Sequence, residues 1–263
     1  MNEKTAQFSL RGLFQPRDLT EGTPWKTILA FALPIIISYL LQQVYTISDA
    51  AIVGQTLTAG EVAGVNDTTS IIFIFLQFAF GVSAGFCVVT AAEVGAHHEA
   101  GVRRSLAAQI LLSAALTVLL TGLALLLLKP MLAWINVTPE SPEVYRAAHT
   151  YCAIIFAGIG AQLFYNFICS FLRSMGDSVT PLLFLLFSTI LNIGLDLLFI
   201  VSFHWGVAGA AIATVAAQLI STVGCFLYAF VKYPKLRLHR EDWQVTLGDM
   251  RRHLGQGIPL GLQ

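Results

Sequence analysis

The chain has 263 residues, 56% of them hydrophobic and 11% charged, with zero formal net charge and a mean hydropathy of +0.72. A soluble globular domain carries roughly 25% charged residues, so the composition excludes one and predicts a polytopic membrane protein. Balanced charge without a long basic run gives nucleic acid nothing to bind.

Residues 1–26 are polar and of mixed charge, so no cleavable signal peptide precedes the first span and a cytoplasmic amino-terminal segment is expected. Apolar runs of about 20 residues then place transmembrane helices near 27–53, 68–93, 106–128, 148–172, 181–202 and 207–231. The first is entered through Thr23 as cap and Pro24 at the first helical position, a device repeated by Thr180 and Pro181 before the fifth. Asp67, just ahead of the second apolar run, reads as a helix cap. Trp25, Trp134 and Trp205 fall near predicted ends, where interfacial aromatics belong. Cys87, Cys152, Cys169 and Cys225 all lie in apolar runs without a CxxC spacing and read as packing residues.

Threading six helices alternately puts all but two of the 15 lysines and arginines on the amino-terminal side, leaving Lys129 and Arg146 opposite. The positive-inside rule makes that side cytoplasmic, and with it the basic linker 232–254. Residues 255–263 read as the start of a seventh helix, and setting Pro259 on Pro34 suggests a second copy of the unit beginning. The expected organisation is an all-α six-helix lobe over 27–231, a linker, and a truncated seventh helix, with a second six-helix lobe as missing partner.

Carboxylates at membrane depth are costly, about 2.5–3.5 kcal/mol each, and usually face a cavity or a partner. Asp49 lies on the first helix and Asp196 on the fifth, where Asn192 shares its face one turn earlier. On the sixth, Gly206, Ala210 and Thr214 form a small face at intervals of four. At about 1.5 Å per residue, Asp49, Asp196 and Thr214 lie some 8–10 Å inside the outer helix ends and Asn192 about 15 Å. Such an oxygen cluster suits a hard cation or a shared proton. Interhelical hydrogen bonding by Asn192 and Thr214, with Asp49 reaching water, is the bland alternative.

Four segments carry a resemblance: "DLTEGTPWKTILAFALPIIISYLLQQVYTISDAAIVG" at 18–54, "RSMGDSVTP" at 173–181, "LNIGLDLLFI" at 191–200 and "GVAGAAIAT" at 206–214. Together they resemble the bacterial members of the multidrug and toxic compound extrusion (MATE) family. The resemblance implies one half of a pseudo-symmetric twelve-helix antiporter, in the bacterial plasma membrane, exchanging an organic cation for H⁺ or Na⁺ by alternating access. It also implies a coupling-ion site made of Asp49, Asn192, Asp196 and Thr214. No cofactor beyond the coupling ion is expected, and H⁺ is the working choice because two close acids suit a shared proton. Two departures stand out: Thr46 where related sequences often have Asn, and Glu93, read as loop chemistry, where Gln is common. The alternatives are a lipid-linked saccharide flippase of the same superfamily, whose cavity should be more cationic, and an inactive half with a scaffold role.

Other candidates are weaker. His97, His98 and Glu99 are adjacent on one loop and rarely converge on a metal without further ligands. Gly176 and Asp177 lack the Walker lysine and read as a tight turn. No Ser/His/Asp or HExxH arrangement supports an enzyme. Pro34 removes a backbone hydrogen bond to Ala30 and makes the first helix bendable. Tyr39, Tyr45, Phe75, Phe78 and Phe164 are candidates for an aromatic drug cavity, without an assignment of the substrate site.

Overall fold

The computed structural model describes residues 23–263, so nearly all of the expected amino-terminal segment, including Lys4, Arg11 and Arg17, lies outside the described residues. In chain order the helices are α1 (Pro24–Thr56), α2 (Ala59–Gly95), α3 (Glu99–Trp134), α4 (Pro142–Ala157), α5 (Ile159–Ser174), α6 (Val179–Asp196), α7 (Gly206–Lys232) and α8 (Leu247–Gly261). A π-helical turn, Leu197–Ser202, extends α6. Five helices are single apolar spans, and α4 with α5 makes a sixth, bent by 46°.

That bend corrects the uninterrupted fourth helix expected over 148–172. Gly158 stands at the break, and a Cβ there would run into the side chain of Val215 on α7. Close approach to α7, more than conformational freedom, requires the glycine, since its φ is an ordinary −88°.

Helix entries differ from expectation in an instructive way. The backbone of α2 starts nine residues before the apolar run, at a capping box in which Thr58 accepts from the Glu61 amide (3.3 Å) and Glu61 accepts from the Thr58 amide (3.0 Å). Asp67 is therefore an exposed residue inside the helix and not its cap. Thr23 precedes Pro24 as expected but makes no capping bond. Thr180 does not cap α6; Asp177 does, accepting from the Thr180 amide at 3.0 Å. The seventh helix begins at Leu247, inside the expected linker, where Thr246 and Asp249 form another capping box.

The main core joins α2, α3, α4 and α5 through Ile71, Ala124, Leu128, Cys152, Phe156 and Leu163, with Phe75 set against Phe156 at 5.0 Å between centroids. All four cysteines are buried and free. Between apolar helices in lipid, close packing of small residues replaces the hydrophobic drive. The α2/α8 crossing shows it: a Cβ on Gly85 would stand 2.6 Å from the Gly257 Cα, and one on Gly81 would stand 2.8 Å from the Gly261 Cα. By contrast α1 leaves Ile28, Leu29, Leu40 and Ile47 more than half exposed and packs chiefly on α6.

The six spans alternate, which gathers Arg103, Arg104, Arg173, Lys232, Arg240 and Arg252 at one end, the basic end. Three ties hold that end together. Asp177 is buried and accepts from Lys232 Nζ (2.8 Å), the Tyr233 hydroxyl (2.7 Å) and the Thr180 hydroxyl (2.7 Å). Burial raises its pKa, but these donors outweigh it and hold the carboxyl below the ordinary range. Arg103 Nε donates to Asp242 (3.2 Å), and Arg252 donates to Glu93 (2.8 Å), so Glu93 ties α2 to α8 and is no loop residue. His98, at 2.9 Å, shares that carboxylate.

Candidate functional site

Three helices converge on the sequence-predicted residues. Asp49 comes from α1, Asn192 and Asp196 from α6, and Thr214 from α7. Asn192 and Asp196 are fully buried. Their four side-chain polar atoms, together with Asp49 Oδ1 and Thr214 Oγ1, have no hydrogen-bond partner among the described residues. The carboxyls of Asp49 and Asp196 face each other across the α1/α6 contact. The geometry thus brings together all four predicted groups.

Two tyrosines that the sequence reading did not place here join them. Tyr45, one turn before Asp49, lies beside Thr214, and Tyr151 of α4 comes within electrostatic reach of Asp49, Asp196 and Tyr45. The four-residue interval from Tyr45 to Asp49 was the available signal. Nothing local marks Tyr151; the helix crossing delivers it.

The chemistry is that of an acceptor-rich pocket. Two carboxyls, an amide oxygen and a hydroxyl are hard oxygen donors of the kind that hold a small cation, and two facing carboxyls hold one proton between them. An unpaired buried carboxylate costs several kcal/mol, so a bound positive species stabilises this arrangement. Among the described residues no group of three His, Cys, Asp or Glu side chains is arranged as a metal site.

A second feature was not anticipated as a unit. A cavity of about 300 Å³ is lined by Ser38, Tyr39 and Gln42 of α1, Phe73 and Gln77 of α2, and Gln162, Asn166 and Arg173 of α5. Of the five aromatic candidates only Tyr39 lines it. Phe75 stacks in the core, Phe164 packs on Phe167 and Phe226, and Phe78 lies against Gly261 of α8. Aromatic content could not separate core from cavity; the intramembrane amides, especially the Gln162–Asn166 pair at i,i+4, were the better signal.

Comparison with known proteins bears on this architecture. The MatE family model matches residues 34–198, from the α1 proline through Asp196. The chain belongs to the MatE family. The probable multidrug resistance protein YpnP of Bacillus subtilis is 31% identical over 258 residues, covering 94% of this chain and 54% of that protein. The probable multidrug resistance protein NorM of Thermotoga maritima is 26% identical over 244 residues, covering 90% and 51%. A MOP superfamily transporter from Pyrococcus furiosus superposes with a TM-score of 0.83 at 25% identity, covering 93% of this chain and 53% of that one. An outward-facing multidrug resistance MATE transporter superposes equally well, with a TM-score of 0.83. This MatE chain spans about half the length of the relatives it matches.

Within the MatE chain one helix serves both features. Asp49 and Tyr45 of α1 reach the acid pocket, and Ser38, Tyr39 and Gln42 of the same helix line the amide cavity. Pro34, buried, lies two turns before Gln42, and Ser38 Oγ donates to the Pro34 carbonyl at 2.8 Å, a local bond that favours bending.

Proposed function

We propose that this chain is one lobe of a cation-coupled exporter of organic cations, with Asp49, Asn192, Asp196 and Thr214 holding the coupling ion. One observation carries the reading: the buried Asp196 carboxyl and the half-buried Asp49 carboxyl face each other, and both Asp196 oxygens and Asp49 Oδ1 have no hydrogen-bond partner among the described residues. Two like charges 4 Å apart at an effective dielectric of 20 repel by about 4 kcal/mol. A proton or small cation between them removes that repulsion and draws Asp49 towards Asp196. Because α1 also walls the amide cavity, the ionic state of the pocket biases the cavity's shape, and Pro34 supplies the place to bend. Ion binding and drug binding then exclude one another, which is exchange.

Tyr39 and Phe73 offer ring faces for a flat cation, and the amides of Gln42, Gln77, Gln162 and Asn166 offer hydrogen bonds that tolerate varied substrates. The multidrug designation of the relatives supports this substrate class. Alternating access needs a second lobe to rock against, and the half-length coverage of the relatives agrees with one. The basic end faces the cytoplasm, in a bacterial inner membrane.

Asp49→Asn and Asp196→Asn, each in the protein of native length, are expected to abolish ion-driven efflux of a fluorescent cationic dye without loss of membrane insertion. Full efflux in both variants would refute the site. Efflux driven by a Na⁺ gradient, with the pH gradient collapsed by an ionophore, would replace H⁺ by Na⁺ as coupling ion.

A further inference from the structure

Three contacts set the register of the antiparallel pair α6 and α7 with its π-helical extension. Ile200 clusters with Ala210. A Cβ on Gly209 would stand 3.1 Å from the Phe199 backbone, and one on Gly224 would stand 3.2 Å from the Phe184 ring. In that register Asp196 is level with Thr214, Asn192 with Gln218, and Thr189 with Ser221. The levels are about 5.4 Å apart, so the polar stretch runs about 11 Å along the helices.

At each level, buried polar atoms lack a partner among the described residues. They are both Asp196 oxygens with Thr214 Oγ1, then Asn192 Oδ1 and Nδ2 with Gln218 Nε2, then Ser221 Oγ. Asn192, Asp196 and Ser221 are fully buried. Leaving such a group unsatisfied costs about 1–3 kcal/mol, and native proteins rarely do so. Asn192 and Gln218 bring both donors and acceptors, and water, which donates and accepts with two to four partners, fits them all.

Towards the opposite end the buried residues turn apolar, with Tyr151 packed against them. One turn outward from Asp49, Asp196 and Thr214 stand Val53, Ile200 and Ala210, packed together. A further turn out, Leu57 packs with Val65, Ala147 and Val207. Ala147 and Val207 then form part of an open hollow of about 520 Å³ that Glu61, Glu143 and Arg146 also line. Two apolar layers, about 10 Å, separate this hollow from the acids.

We infer that α6 and α7 hold a file of water lined by Asn192, Gln218 and Ser221, through which protons pass between the acid pair and the amide cavity. The inference rests on the ion-coupling reading of that pair. Ser221 is one turn from Cys225, which packs with Tyr165 and Cys169; both of these line the cavity, and the Tyr165 hydroxyl is itself buried and unpartnered. In each passage the Asp196 carboxyl gives its proton to the adjacent water and is left a carboxylate. Every water accepts one proton and donates one, and a single proton emerges at Tyr165. The acids thereby exchange with the cavity side while the apolar layers close the other.

The test is the double variant Gln218→Leu/Ser221→Ala in the protein of native length, reconstituted in liposomes with a cationic dye and an internal pH indicator. Proton-driven dye efflux and the accompanying pH change are expected to fall at least tenfold. Dye-for-dye exchange, which requires no proton passage, is expected to stay within twofold. Unchanged proton-driven efflux in the double variant overturns the file, and so does an equal fall in efflux and exchange, which marks a structural role. Full efflux in Asp196→Asn would instead remove the coupling reading itself, whatever the double variant does.

Discussion

Replacing Asp177 by Ala should be among the most destabilising single changes in the chain. The carboxylate is 3% exposed and accepts four hydrogen bonds: from Lys232 Nζ (2.8 Å), the Tyr233 hydroxyl (2.7 Å), and the Thr180 hydroxyl (2.7 Å) and amide (3.0 Å). Removing one partner of a buried ion pair typically costs about 3–5 kcal/mol. At roughly 2–4 °C per kcal/mol for a chain of this size, the midpoint of thermal unfolding in detergent should fall by roughly 6–20 °C. Asp177→Asn keeps the shape and one acceptor and should cost about half as much. The pH dependence has a definite sign. The folded pKa lies below the ordinary value of 3.8, so the contribution is complete above that value and is lost as pH falls through the folded pKa. The gap between wild type and Asp177→Ala should therefore be constant from pH 5 to 8 and shrink only below about pH 4. Scanning fluorimetry with size-exclusion monodispersity measures both. A midpoint within 2 °C of wild type at pH 7 would show that the knot does not hold α5, α6 and α7 together.

Three further outcomes follow from the packing. His253 donates from Nδ1 to the Asp249 carbonyl (2.8 Å) and pairs through Nε2 with the Ser105 hydroxyl (2.8 Å), and burial lowers its pKa below 6.5, so its contribution is present above that value and is lost as pH falls through the lower folded pKa. The unfolding midpoint should drop on going from pH 7.5 to 5, and by less in His253→Gln. Gly85→Val meets backbone at 2.5 Å across the α2/α8 crossing and should destabilise by about 3 kcal/mol or more, whereas Gly122→Ala, with nothing within 4 Å, should stabilise α3 by about 0.5–1 kcal/mol; unfolding midpoints decide both. Gly158→Ala runs into Val215 and should lose about 1–3 kcal/mol, of which Val215→Ala recovers most in a double-mutant cycle.

Hydropathy alone locates the six spans, because each needs about 20 apolar residues and that requirement is local. The acids could be picked out for the same reason: a carboxylate at membrane depth is costly wherever it sits, so Asp49 and Asp196 are conspicuous without any partner in view. Helix starts were harder to read, since the polar turns from Ala59 to Asp67 are helical through a capping box and not through apolarity. Only tertiary structure decides what depends on crossings between distant segments. The break at Gly158 comes from Val215, Glu93 becomes a tie because Arg252 arrives from α8, and Tyr151 joins the acids because α4 packs against α7. The α6/α7 seam is of the same kind. Gln218 and Ser221 are unremarkable singly, and it is the register of two antiparallel helices, set by close glycine contacts, that aligns their unpartnered atoms with those of Asn192.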